Sequence, residues 1–139
     1  MNERHCVYQH YLNSNIHKFV FLKADERGVD EFAVMFERMM REHESAEPIL
    51  MLVDLRPDGI PPFNYTLKTI RGVFARFENP PVFRAGYLYE KSMFLAIMKR
   101  FFGLLGLSNQ RRFFNAVPET AVLEWLLEGR TMLPLEPET

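Results

Sequence analysis

Cysteine is nearly absent: Cys6 is the only one in 139 residues, which excludes an internal disulfide and so a disulfide-braced secreted fold. Glycine is sparse, at seven residues, and the glycine-rich signatures of nucleotide and hydrolase chemistry are missing. There is no GxGxxG, no GxxxxGKS/T and no GxSxG. HExxH and CxxC spacings are absent too, so no metal site and no cofactor is expected. No apolar run approaches the ~18 residues that a membrane-crossing helix requires. The opening Met1-Asn2-Glu3-Arg4-His5 is polar and leads straight into strand-like sequence, without the apolar stretch and cleavage site of a signal peptide. Neither sign of charge dominates, with 17 Lys and Arg against 18 Asp and Glu, so nothing drives the chain toward nucleic acid. These absences predict a cytoplasmic protein with no transmembrane segment and no nucleic-acid partner.

What is present suits a folded domain. Hydrophobic residues make up 47% and charged residues 25% of the chain, ordinary values for a globular protein with one core. Charge is unevenly laid out. Residues 24–58 are acidic, whereas residues 65–112 carry nine Lys and Arg against Glu78 and Glu90 alone. Such a basic middle suits an anionic ligand or an acidic partner, or equally a set of solvated helix faces that pair locally.

The apolar pattern alternates between two periods. Residues 5–12 and 16–22 read as strands joined by the turn residues Asn13-Ser14-Asn15, an antiparallel hairpin. Gly28 is read as a break. From Val29, apolar residues recur at helical spacing through Phe32, Ala33, Phe36, Met39 and Met40 to about His43. Ile49-Leu50-Met51-Leu52-Val53 is a continuous apolar run ending in Asp54, the pattern of a parallel strand buried on both faces. After a Pro-rich loop, Asn64 is placed to cap a second helix, which Asn79-Pro80-Pro81 stops. Residues 82–89 read as a fourth strand, 91–105 as a third helix, 112–116 as a fifth strand and Pro118 to Glu128 as a last helix, stopped by Gly129. The resulting β-β-α-β-α-β-α-β-α order predicts a five-stranded, mostly parallel α/β sheet with an antiparallel N-terminal edge strand. One domain is expected over residues 1–131, with 132–139 as a loose tail.

Few residues suggest chemistry. Asp54 ends the central strand, where open α/β sheets bind ligands. Arg56 and the start of the helix near Asn64 can complete a small anion site there; alternatively, Asp54 caps loop amides and Arg56 pairs with it or with Asp58. A hairpin turning at Asn13-Ser14 sets His10 directly opposite His17, which is either a pH-sensitive or metal-binding pair or a plain exposed one. Cys6 reads as a buried structural thiol. The segment 91–107 has more apolar residues than one helix stripe needs. Met93, Phe94 and Met98, with Lys91 beside them, predict a surface for a second copy, a lipid-like small molecule or a membrane, or else a wide buried face.

The order of elements from Tyr8 to Gly129 resembles the SpoIIAA-like proteins of the STAS superfamily (sulfate transporter and anti-sigma factor antagonist domains). The resemblance is carried by the hairpin into Val29–His43, by Leu50-Met51-Leu52-Val53-Asp54, by Phe83-Arg84-Ala85-Gly86-Tyr87-Leu88, and by Phe113-Phe114 leading to Ala121-Val122-Leu123-Glu124-Trp125-Leu126. It implies a four-turn β-α superhelix that docks on a protein partner or on itself and does not catalyse. The phosphorylatable Ser that such antagonists carry at the start of the helix after the central strand is missing, since only Tyr65 and Thr66 supply hydroxyls there. That departure tells against a kinase-controlled switch, with Thr66 the nearest substitute. The fold is also similar to CRAL-TRIO lipid-transfer domains, which implies a carrier of an apolar anion as the alternative.

Overall fold

The hairpin that opens the chain sets the register of everything after it. In the computed structural model, which describes residues 3–90 and 110–131, β1 (Cys6–Tyr11) pairs antiparallel with β2 (Ile16–Phe21) across a turn at residues 12–15. Asn15 takes the left-handed conformation there, at φ 56°, as Asn does with least strain among residues that bear a side chain. Helix α1 (Glu26–Glu42), strand β3 (Ile49–Asp54), helix α2 (Phe63–Phe74), strand β4 (Phe83–Tyr89), strand β5 (Gln110–Asn115) and helix α3 (Glu119–Thr131) follow. β2, β3, β4 and β5 are parallel, and the five strands lie in the order of the chain, β1-β2-β3-β4-β5. The expected α/β class and mixed sheet are therefore present. The helix expected over 91–105, with Lys91, Met93, Phe94 and Met98, lies outside the described residues, as does the tail 132–139.

All six residues of β3 and all seven of β4 are buried, so both faces of the sheet centre must be covered. One face packs on α1 and α2. Its core joins Phe19, Phe21, Met51, Val53 and Phe83 to Val29, Phe32, Phe36, Ile70 and Val73. An aromatic seam runs through it, with ring centroids 4.9 Å apart for Phe19–Phe32, 5.0 Å for Phe32–Phe36 and 5.3 Å for Phe36–Phe83. The opposite face packs on α3, where Val122 and Leu126 meet Ile16, Leu50, Leu52, Leu88 and Phe114.

β5 begins two residues earlier than the expected 112–116 and ends at Asn115, and three helix boundaries also differ from the sequence expectation. Gly28 is not a break but the third residue of α1. Asp25 is the N-cap and accepts the Gly28 amide at 2.8 Å. Glycine is needed because a Cβ at this position would stand 2.4 Å from the Lys23 carbonyl oxygen. Asn64 does not cap α2. The helix begins at Phe63 behind Pro62, without a side-chain cap, and Asn64 is exposed in its first turn. Gly129 does not stop the last helix, which continues to Thr131.

At Gly86, α3 packs tightly against the sheet. A Cβ there would lie 2.5 Å from Val122 Cγ1 and 3.4 Å from Phe114 Cε1, and Val122 is fully buried. Gly72, by contrast, is exposed in α2 with open space at its Cβ position. Chemical denaturation of Gly86→Ala is expected to show a loss of about 1–3 kcal/mol from overpacking, partly recovered in Gly86→Ala/Val122→Ala. Gly72→Ala is expected to gain about 0.5–1 kcal/mol.

Candidate functional site

β3 carries Asp54 to its C-terminal end, 4% exposed on the α3 side of the sheet. The chain turns at once, and Arg56 folds back. Asp54 Oδ1 accepts the Arg56 amide at 3.0 Å and Nε at 2.9 Å, and Oδ2 accepts Nη2 at 2.8 Å. Of the two sequence alternatives for this pair, the loop cap with an internal ion pair is the geometry present. Asp58 takes no part; it accepts the Ala24 amide at 2.7 Å.

The cluster extends to residues that the sequence reading did not single out. Lys18 projects from β2 on the same face, and its Nζ donates to Glu119 Oε1 at 2.6 Å. Glu119, in the first turn of α3, also accepts the Tyr11 hydroxyl at 2.8 Å and lies 4.0 Å from Arg56 Nη2. Two cations and two carboxylates thus neutralise one another. Burial alone would raise the Asp54 and Glu119 carboxyls. Arg56 outweighs that penalty at Asp54, and Lys18 with Tyr11 outweighs it at Glu119, so both titrate below their ordinary values. Lys18 is raised in turn: burial works against its charge, but Glu119 prevails. The signal for this cluster was present in the sequence. Lys18 is the only Lys, Arg, Asp or Glu in β2, and a charge inside an apolar strand requires a partner. Asn64 and Thr66 are not drawn into the cluster; the Thr66 hydroxyl donates to the Pro62 carbonyl at 2.6 Å.

A second group of polar rings lies on the opposite face of the hairpin. His10 and His17 are cross-strand partners, as the turn position implies. Their rings stack at 4.2 Å with an 11° interplanar angle. The Tyr8 hydroxyl and His17 Nδ1 are 2.6 Å apart, His10 Nε2 meets Asn15 Oδ1 at 2.7 Å, and His43 Nε2 meets the Glu47 carbonyl at 2.7 Å. Burial, then His10 and His43, push the His17 imidazole down to about 4. Among the described residues, no group of three His, Cys, Asp or Glu side chains is placed to hold a metal ion.

Cys6 and Arg84 are the other buried groups with notable surroundings. Burial, with Glu31 nearby, pushes the Cys6 thiol up to about 12, which denies it thiolate chemistry. The Arg84 guanidinium lies 3.7 Å from the centroid of Trp125 and donates to its carbonyl at 2.7 Å, binding α3 to β4. No helix among the described residues is long and apolar enough to cross a membrane. No family model matches the chain, and neither a curated protein nor a solved structure does.

Two outcomes follow. Glu119→Ala leaves Lys18 half-buried without its counter-charge, and urea unfolding is expected to register a loss of about 1–3 kcal/mol. Lys18→Met/Glu119→Leu, which removes both charges, should recover most of it. The folded His17 value lies below that of the unfolded chain. Between about pH 6.5 and pH 4 the unfolded state therefore binds a proton that the folded state refuses, and stability falls as the pH drops through that window. His17→Phe is expected to flatten that part of the melting profile, by about 1–2 kcal/mol at this partly solvated position.

Proposed function

We propose that the chain is a STAS-like binding or regulatory module, without catalysis, that acts through protein–protein contacts and lacks the usual phosphorylatable serine. The observation that carries this reading is the Asp54 cluster. The carboxyl ends of parallel strands are where α/β proteins hold their substrates. Here that place is filled by the protein's own charges, each bonded to another. A catalytic acid or base needs a titration point near its working pH and room for a reacting atom. Asp54 and Glu119 are instead held strongly ionised by Arg56 and Lys18. The sequential strand order, and the β-α-β-α-β run from β2 to β4, also support a STAS-like β-α coil.

The test is capture of the tagged chain with in-cell crosslinking, followed by reconstitution of what is recovered. A saturable complex of fixed stoichiometry, with another protein or with the chain itself, is expected. Its affinity should be unaffected by Thr66→Ala, since no phosphate switch is involved. A chain that binds neither another protein nor itself on reconstitution would overturn the reading.

A further inference from the structure

We propose that the open edge of β1 pairs with β1 of a second copy about a two-fold axis at Gln9, joining two five-stranded sheets into one. The inference rests on reading the chain as a binding module and names its partner as the chain itself.

The backbone phase of β1 is set at Cys6. Its amide donates to Glu31 Oε1 at 2.9 Å and its carbonyl accepts Arg4 Nη2 at 3.3 Å, so both groups point away from β2. Antiparallel alternation then turns the amides and carbonyls of Tyr8 and His10 outward as well, and those of Val7, Gln9 and Tyr11 toward β2. The outward groups of Cys6 are occupied, and beyond Tyr11 the chain enters its turn. The free edge is therefore short, and Gln9 is its centre.

The strand's own sequence does not protect it. Sheet edges are normally blunted by a lysine, a proline or a bulge, and Cys-Val-Tyr-Gln-His-Tyr holds no charged residue, no proline and no break in register. The edge is also self-complementary. An axis at Gln9 sets Tyr8 opposite the partner's His10 in a hydrogen-bonded pair, twice by symmetry, and Gln9 opposite its own copy in a non-hydrogen-bonded one. Opposed residues stand ~4.5–5.5 Å apart at Cβ. The Tyr8–Phe19 pair at 5.1 Å and the His10–His17 stack at 4.2 Å would then join across the axis into a continuous row of rings.

A strand pair this short buries less than the ~1,200 Å² of a specific interface, so α1 must contribute. Its flank beside β1 is marked by Glu31 on the Cys6 amide and by Met35 Sδ at 3.4 Å from Arg4. Along that flank run Arg27, Glu31, Val34, Met35, Arg38 and Glu42, at helical spacing. Val34 is 62% exposed. Arg27 and Glu31 are bonded to each other within the chain at 3.0 Å, whereas Glu42, at the other end of the row, lies beside Tyr8 and so near the axis. An axis at Gln9 therefore brings the Arg38 and Glu42 end of the row against its own copy, so that Arg38 of each copy can face Glu42 of the other.

Light scattering and sedimentation of the whole chain over a wide concentration range are expected to show a monomer–dimer equilibrium. Gln9 is exposed, so substitutions there are expected to leave the fold intact, as circular dichroism would check. Oxidised Gln9→Cys should give a covalent dimer, whereas Leu12→Cys, at a position 78% exposed, should not. Collision-driven crosslinking would reverse that ranking. Gln9→Lys should weaken association about tenfold at low salt, and mixing Gln9→Lys with Gln9→Glu should restore it. A chain monomeric throughout, equal crosslinking at both cysteines, or Gln9→Lys associating like the parent would each overturn the pairing. A monomer that still captures a different protein overturns self-pairing alone and leaves the binding-module reading standing.

Discussion

A strand buried on both faces is the constraint on which this structure depends. β3 has no solvated side, so its side chains alternate between two separate cores. The crossover helices α1 and α2 cover one of them. Among the described residues, the other is covered by α3, far along the chain. That explains why the links on that face are so specific: Gly86 leaves room for Val122, Arg84 holds the Trp125 carbonyl, and Lys18 holds Glu119. Each fixes α3 at a different point along its length.

The charges follow the same logic. Those at the centre of the fold are paired internally, as Asp54 with Arg56 and Lys18 with Glu119. Glu31 closes the upper end of the β1 edge with its carboxylate, and Asp25 caps α1 while accepting a bond from His5. Glu37 of α1 is shared by Arg41, one turn further on, and by Arg76, just past the end of α2. The acidic N-terminal half and the basic middle of the sequence thus meet in space, and part of the apparent segregation of charge is spent on holding helices together.

How much could be read beforehand depended on distance along the chain. The continuous apolar run 49–53 declared a two-sided strand because such a strand has no polar face to alternate with. The His10–His17 opposition followed from the turn alone, since hairpin register is local. The partner of Lys18 lies 101 residues away, and no period in the sequence reaches that far. Gly28 misled because its cause is a carbonyl of the preceding loop, not the conformational freedom that glycine usually signals. Asn64 misled because Pro62 already sets the backbone for entry into α2, leaving the first turn without a side-chain cap.

Sequential strand order has a consequence for biosynthesis. Every strand after the first pairs with the one made just before it, so the sheet can extend outward from the ribosome without waiting for distant sequence. Among the described residues, every buried side chain of the core beneath α1 and α2 has been made once the chain reaches Tyr89, and Phe113 joins its margin later. The opposite face is still incomplete at that point. Leu50, Leu52 and Leu88 stay bare until Val122 and Leu126 emerge. The nascent chain is therefore one-sided during its synthesis, with half a hydrophobic interior turned outward, and that is the interval in which a chaperone would find something to hold.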